Sequence, residues 1–200
     1  MIKTVIFDTD GMVIHRKMRF SQHFSEKFKI PLEKINLFFE NEFQPCLIGK
    51  ADLKQKIKKY LPIWGWQKSV DELLQYWFEC ENIIDNQIIG SVQKLRNDGI
   101  KCFLSTNNEK YRVEYLLNIV GLKKYFDGIF FSSEIGYMKQ KKEFWQIVYN
   151  RLGNPDKESV LCWDDEAKKL EAAKKLGFLA ELYTDFKNYE NKINYYLTKN

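Results

Sequence analysis

Five short apolar runs, at 4–8, 100–105, 128–131, 159–163 and 179–182, constrain the fold of this chain more than any other feature. Each has the length of a strand and is apolar almost throughout, as in strands buried on both faces. From the second run onward they alternate with helical periodicity. The segment 88–98 carries Ile89, Val92 and Leu95 on one face and stops near Gly99. The segment 109–120 repeats this with Val113, Leu116, Leu117 and Val120, then Gly121. The segment 142–152 carries Phe144, Ile147, Val148 and Leu152, then Gly153; 167–176 carries Leu170, Ala173 and Leu176, then Gly177. A glycine just past the last periodic residue ends a helix well. Strand and helix in this rhythm predict an α/β fold, a parallel sheet with helices on both faces.

The stretch 15–87 breaks the rhythm. Phe20, Phe24 and Phe28 recur every four residues, Pro31 sits where a helix through Ile35 and Phe38 can begin, and Leu53, Ile57, Tyr60 and Leu61 form another face. Leu73, Leu74, Trp77 and Phe78 form a fourth. These spacings predict an all-helical lobe inserted after the first strand, with its rings used for packing. The organisation expected is therefore a core of 1–14 and 88–200 and a helical insert of 15–87. The tail, 183–200, reads as a polar helix at best.

With 44% hydrophobic residues the chain has ample material for a core. Its net charge of +5 favours anionic ligands mildly. That balance does not show nucleic-acid binding, which needs basic residues gathered on one face; the lysines at 54–59 read as the wet side of a helix, and no nucleic-acid partner is expected. Cys46, Cys80, Cys102 and Cys162 form no C-x-x-C pair, and with two histidines a zinc site is not expected. No run approaches a membrane span, and the first residues run straight into a strand. The expectation is a soluble cytoplasmic protein with no membrane partner, a monomer or weak homodimer.

Chemistry gathers where these strands end. Asp8 and Asp10, two apart at the end of the first run, point to the same side of an extended chain, and Gly11 permits a sharp turn behind them. Crowded carboxylates repel, and a hard cation relieves the repulsion. The second run ends in Ser105, Thr106, Asn107 and Asn108, hydroxyl and amide groups suited to an anionic oxygen or to helix capping. Lys139 precedes the helix at 142. Asp164 and Asp165 follow the fourth run, where Asp165 has the alternative use of capping a helix. Taken singly, each feature has an ordinary structural use. Together they lie at the carboxyl ends of strands, where open parallel sheets bind their ligands.

In these motifs the sequence resembles the haloacid dehalogenase-like (HAD) superfamily, along the whole chain except the insert. The run Val5-Ile6-Phe7-Asp8-Thr9-Asp10-Gly11 carries most of the resemblance. Leu104-Ser105-Thr106-Asn107, Lys139, and Asp164-Asp165 followed by Leu170 to Gly177 carry the rest. The resemblance implies a three-layer, Rossmann-like core with a helical cap. It implies a Mg²⁺-dependent phosphatase for a small phosphorylated metabolite, working through an aspartyl-phosphate on Asp8, with Asp10 as general acid and base. Mg²⁺ would sit on Asp8, the Asp10 carbonyl and Asp165, with Asp164 behind them. Thr106, Asn107 and Lys139 would hold the phosphoryl oxygens. Family dehalogenases generally lack the second acid, so Asp10 favours phosphoester over carbon–halogen cleavage. The chain departs from the pattern at Gln140, where a Pro is usual, at Lys169, where Asn or Asp is common, and at His15, where mutase-like relatives often carry Asp. Two alternatives follow: a phosphosugar mutase, and a binding or regulatory protein of the same fold with weak or lost turnover.

Overall fold

The computed structural model describes residues 1–198. Its strands, in chain order, are β1 (Thr4–Asp8), β2 (Ile14–His15), β3 (Ile83–Ile84), β4 (Lys101–Thr106), β5 (Gly128–Phe131), β6 (Val160–Asp164) and β7 (Leu179–Leu182). Its α-helices are α1 (Phe20–Phe28), α2 (Leu32–Leu37), α3 (Leu53–Lys58), α4 (Val70–Cys80), α5 (Asn86–Asn97), α6 (Lys110–Glu114), α7 (Ser132–Ile135), α8 (Lys142–Arg151), α9 (Ala167–Leu176) and α10 (Phe186–Thr198).

Among the described residues, five strands form one parallel sheet in the order β5–β4–β1–β6–β7. The α/β, Rossmann-like architecture is as expected, and β1 lies at its centre with all five residues buried. Alternation along β1 sends Val5 and Phe7 into one apolar layer and Ile6 into the other. The first layer includes Val92, Leu104, Trp163 and Tyr189; the second includes Phe144, Val148, Cys162 and Leu170. Cys102 and Cys162 are buried thiols in these layers, as expected. Asp8 pairs in register with Ser105, and Phe7 with Trp163, so the ends of β1, β4 and β6 lie side by side. β1 is flanked by strands that continue in opposite directions across the sheet, which opens a crevice at their carboxyl ends.

The insert has an apolar core of its own, built from Phe20, Phe24, Ile35, Phe38, Leu53, Ile57, Trp64, Leu73, Trp77 and Phe78. The aromatic stripe packs as expected: the Phe20 and Trp77 rings stack at 5.3 Å, and Phe38 meets Trp64 edge-on at 5.6 Å. α4 opens on a capping box, in which the Ser69 hydroxyl accepts from the Glu72 N–H and the Glu72 carboxylate accepts from the Ser69 N–H.

Three elements differ from the sequence reading. The insert is not free of strand: β2 pairs antiparallel with β3, clasping the chain where it leaves and rejoins the sheet. Two-residue strands are too short to show a period. The helix at 109–120 is α only through Glu114, then widens into a π turn at Tyr115–Ile119, closed by Val120 N–H donating to the Tyr115 carbonyl at 3.0 Å. The tail is not merely polar, because α10 buries Tyr189 and Ile193. The Tyr189 ring lies 4.9 Å from that of Trp163, and its hydroxyl meets the Ser91 hydroxyl at 2.7 Å. Tyr189 and Ile193, with Phe186, Tyr196 and Leu197 partly buried beside them, dock a helix that reads as polar by composition. Residues 199 and 200 of that tail lie outside the described residues. Among the described residues no helix is long and apolar enough to cross a membrane.

Candidate active site

β1 delivers Asp8 to the crevice in a buried position. One of its carboxylate oxygens accepts from the Lys139 ammonium; the other, Oδ2, is buried and has no hydrogen-bond partner. Burial pushes the Asp8 carboxyl up to about 7, against the pull of Lys139. Lys139 is itself fully buried. It also binds Asp164 Oδ2 at 2.6 Å and the Ser105 carbonyl at 3.3 Å, so the three donors of the ammonium are all taken. Burial opposes its charge, but the two carboxylates outweigh that and hold its pKa above the ordinary lysine value.

The loop that carries Lys139 is pinned from both sides. Lys139 N–H donates to Asn107 Oδ1 at 2.8 Å, Asn107 Nδ2 donates to Gln140 Oε1 at 3.1 Å, and Trp145 Nε1 donates to the Lys139 carbonyl at 2.7 Å. Gln140, a departure from the usual pattern, therefore has a partner in Asn107.

Asp164 ends β6 and accepts from the Glu166 N–H at 2.9 Å. Asp165 is half-exposed, and its pKa is raised by burial and by Asp164 against the pull of Lys169. One oxygen from each of Asp8, Asp164 and Asp165 lies within 4.8 Å of the other two, a donor set that suits a hard divalent cation. Lys169 leans on the same group, with its Nζ 2.8 Å from Glu166, 3.8 Å from Asp164 and 4.0 Å from Asp165.

The chain turns after Asp8. The Asp10 carboxylate consequently has different surroundings, with one oxygen accepting from Asn108 Nδ2 at 2.6 Å and the other lying 3.3 Å from the Arg112 guanidinium. Asn108 also donates to Thr106 Oγ1 at 2.8 Å, which ties the end of β4 to the turn after β1. Asp10, Asn108 and Arg112 line a cavity of about 470 Å³ whose other walls include Arg16, Arg19, Phe39, Phe43 and Trp77 from the insert.

A model of the haloacid dehalogenase-like hydrolase family matches residues 2–177. The chain belongs to this family. Among curated proteins it is similar to a phosphorylated carbohydrates phosphatase of Thermotoga maritima, 24% identical over 185 residues, covering 88% of this chain and 82% of that one. Among solved structures it resembles a HAD-like family hydrolase from Porphyromonas gingivalis, with TM-score 0.82 and 18% identity over the whole of both chains. It also resembles a HAD family enzyme from Bacteroides thetaiotaomicron in complex with magnesium and inorganic phosphate, with TM-score 0.78 and 19% identity, covering 92% of this chain and 95% of that one.

In this HAD-like chain, the residues singled out in the sequence meet at the ends of β1, β4 and β6. Asp8, Lys139 and Asp164 are in direct contact, and Asp165 completes the carboxylate group. Asn107 adjoins them through the Lys139 loop, and Thr106 is tied through Asn108 to Asp10. The Asp10 carboxylate stands apart from the acidic group. Lys139, expected to face phosphoryl oxygens, gives two of its donors to the carboxylates of Asp8 and Asp164 and the third to the Ser105 carbonyl, because a buried ammonium needs polar and charged partners. Sequence reasoning missed Arg112 and took Asn108 as an anion-binding or capping amide, not as a partner of Asp10. The true cap of α6 is Glu109, whose carboxylate accepts from the N–H groups of Tyr111 and Arg112. Nothing local marks Arg112, because a charged residue between apolar positions is the norm in an amphipathic helix.

Proposed function

We propose that this chain is a phosphatase for a small phosphorylated metabolite, with Asp8 as nucleophile. One observation carries the reading: Asp8 Oδ2 is buried at the centre of the crevice without a partner while Lys139 holds the opposite oxygen. A buried carboxylate oxygen left unpaired is costly in a merely structural role. It is what a nucleophile must offer.

The reaction divides into two displacements. An Asp8 oxygen bonds to phosphorus as the ester P–O bond breaks, and Asp10 gives its proton to the leaving oxygen. Asp10 then takes a proton from water, whose oxygen attacks the phosphoryl group, and the bond to Asp8 breaks to release phosphate. Lys139 balances the charge of Asp8 and Asp164 throughout, and Thr106 and Asn107 border the place of the phosphoryl oxygens. The group of Asp8, Asp164 and Asp165 suits Mg²⁺; held by Asp8, Asp165 and the Asp10 carbonyl, the ion would supply charge neutralisation between carboxylate and phosphoryl group. Asp164, with both oxygens engaged, supports Lys139 from behind.

Residues 15–87 act as the cap. The cavity between cap and core has room for a small metabolite, with ring faces beside exposed guanidinium groups. The relative from Thermotoga, named for phosphorylated carbohydrates, supports the same class of substrate. The test is turnover of p-nitrophenyl phosphate with and without EDTA. Asp8→Asn is expected to lower the rate by roughly 10³-fold or more, and retained turnover would remove Asp8 from the role.

Lys169 favours a second reading, a binding protein of the same fold with weakened turnover, because its ammonium competes with a cation for Asp164 and Asp165. A substrate panel silent with both Mg²⁺ and Mn²⁺, together with measurable binding of a phosphorylated sugar, would support it.

A further inference from the structure

Arg112 holds a place that fold stability alone does not explain. Its side chain is 5% exposed, and its guanidinium reaches three groups from two separate parts of the chain. Nη1 donates to the Phe78 carbonyl at 3.1 Å, and Nη2 donates to the Glu81 carbonyl, both at the end of α4 in the insert. Nη2 also lies 3.3 Å from Asp10 Oδ1. The flat group lies beside the adjoining rings of Phe78 and Tyr115, 5.5 and 5.9 Å from their centres. Such a fork, with fixed directions for its N–H groups, orients what it touches.

The contacts continue into the insert. The Glu81 carboxylate accepts from the Phe20 N–H at 2.8 Å, at the start of α1, and from Trp77 Nε1 at 3.3 Å. Phe20, Trp77, Glu81, Arg112 and Asp10 all line the same cavity. The cavity wall and the Asp10 carboxylate are thus joined through one side chain. Asn108 holds the opposite Asp10 oxygen from the core alone.

We propose that Arg112 is a positioning residue for proton transfer by Asp10, and that it makes the aim of that carboxylate depend on the seating of α4. This rests on the reading of Asp10 as the proton donor. With α4 in place, the carbonyls of Phe78 and Glu81 fix the guanidinium, which fixes Asp10 against the leaving oxygen. With α4 displaced, Arg112 loses two of its partners and Asp10 keeps only Asn108. Proton donation is thereby confined to the state in which the insert covers the cavity.

The readout is the leaving group. A p-nitrophenolate departs without help from an acid, whereas an alkoxide needs a proton as its bond to phosphorus breaks. The first displacement, read as kcat/KM, therefore separates the two substrates. In Arg112→Met and Arg112→Lys, kcat/KM for glycerol phosphate is expected to fall roughly 10²-fold while that for p-nitrophenyl phosphate falls less than about threefold. Guanidinium ion added to an Arg112→Ala variant is expected to restore part of the loss on glycerol phosphate. In an Asp10→Asn background, Arg112→Lys should cost almost nothing further on that substrate, since both changes remove one function. Equal losses on both substrates, or additive losses in the double variant, would overturn the proposal and leave Arg112 a packing residue. A parent enzyme that turns over neither substrate would instead overturn the phosphatase reading on which it rests.

Discussion

The Asp165 carboxylate lies against the Cα of Gly11, in the space a Cβ would occupy. The two residues come from opposite ends of the sequence, and their approach closes the acidic group between the turn after β1 and the end of β6. Gly11 also has a φ of +103°, a conformation in which other residues are strained. Gly11→Ala is expected to cost roughly 1–3 kcal/mol of stability and to push Asp165 aside. The Mg²⁺ concentration for half-maximal rate should then rise by about 10- to 100-fold. Thermal melts and a Mg²⁺ titration check the two effects separately.

Lys169 stands over the same carboxylates with a charge that a cation must oppose. Lys169→Asn removes the charge and leaves a possible ligand. The Mg²⁺ requirement is expected to fall by roughly 10-fold, equivalent to about 1.4 kcal/mol. Calorimetric titration with Mg²⁺ tests this without depending on turnover, and an unchanged affinity would show that Lys169 does not compete.

Glu109 is buried, and burial pushes its carboxyl up to about 7 against the N–H groups it caps. The folded protein therefore holds a proton there that the unfolded chain releases near the ordinary glutamate value of 4.5. The corresponding stability is fully present below that lower value and is lost as the pH rises through about 7. Between pH 5 and 8.5, wild type should lose on the order of 2 kcal/mol relative to Glu109→Gln. Urea midpoints at the two pH values measure it, and parallel pH curves would contradict the assignment.

Tyr189 binds α10 to the sheet. Tyr189→Ala removes a ring packed on Trp163 and Phe7 and should cost about 3–5 kcal/mol. Tyr189→Phe keeps the ring, loses the contact with Ser91, and should cost about 1 kcal/mol. Denaturant unfolding of both variants distinguishes packing from hydrogen bonding.

The parallel sheet was legible because each of its strands is a compact apolar run, and the acids at the ends of β1 and β6 were legible because they interrupt those runs. Asp164 even closes its strand, one residue later than the pattern places it. What stayed hidden depends on distance rather than spacing. No period marks β2 and β3, which exist because the insert must leave and return at one place. Nothing local tells that Lys139 is held by Asp8, Asp164 and the Ser105 carbonyl, or that Arg112 reaches across to Asp10. α10 was underrated because one buried stripe is diluted by polar residues around it.

The aspartyl-phosphate on Asp8 is tested most directly by acid-quenched mass spectrometry of the enzyme caught during turnover of an aryl phosphate with Mg²⁺. A phosphoryl group is expected on the peptide containing Asp8, absent from Asp8→Asn and labile to alkali. Phosphate release at full rate with no modified Asp8, or with the label on another residue, would contradict it.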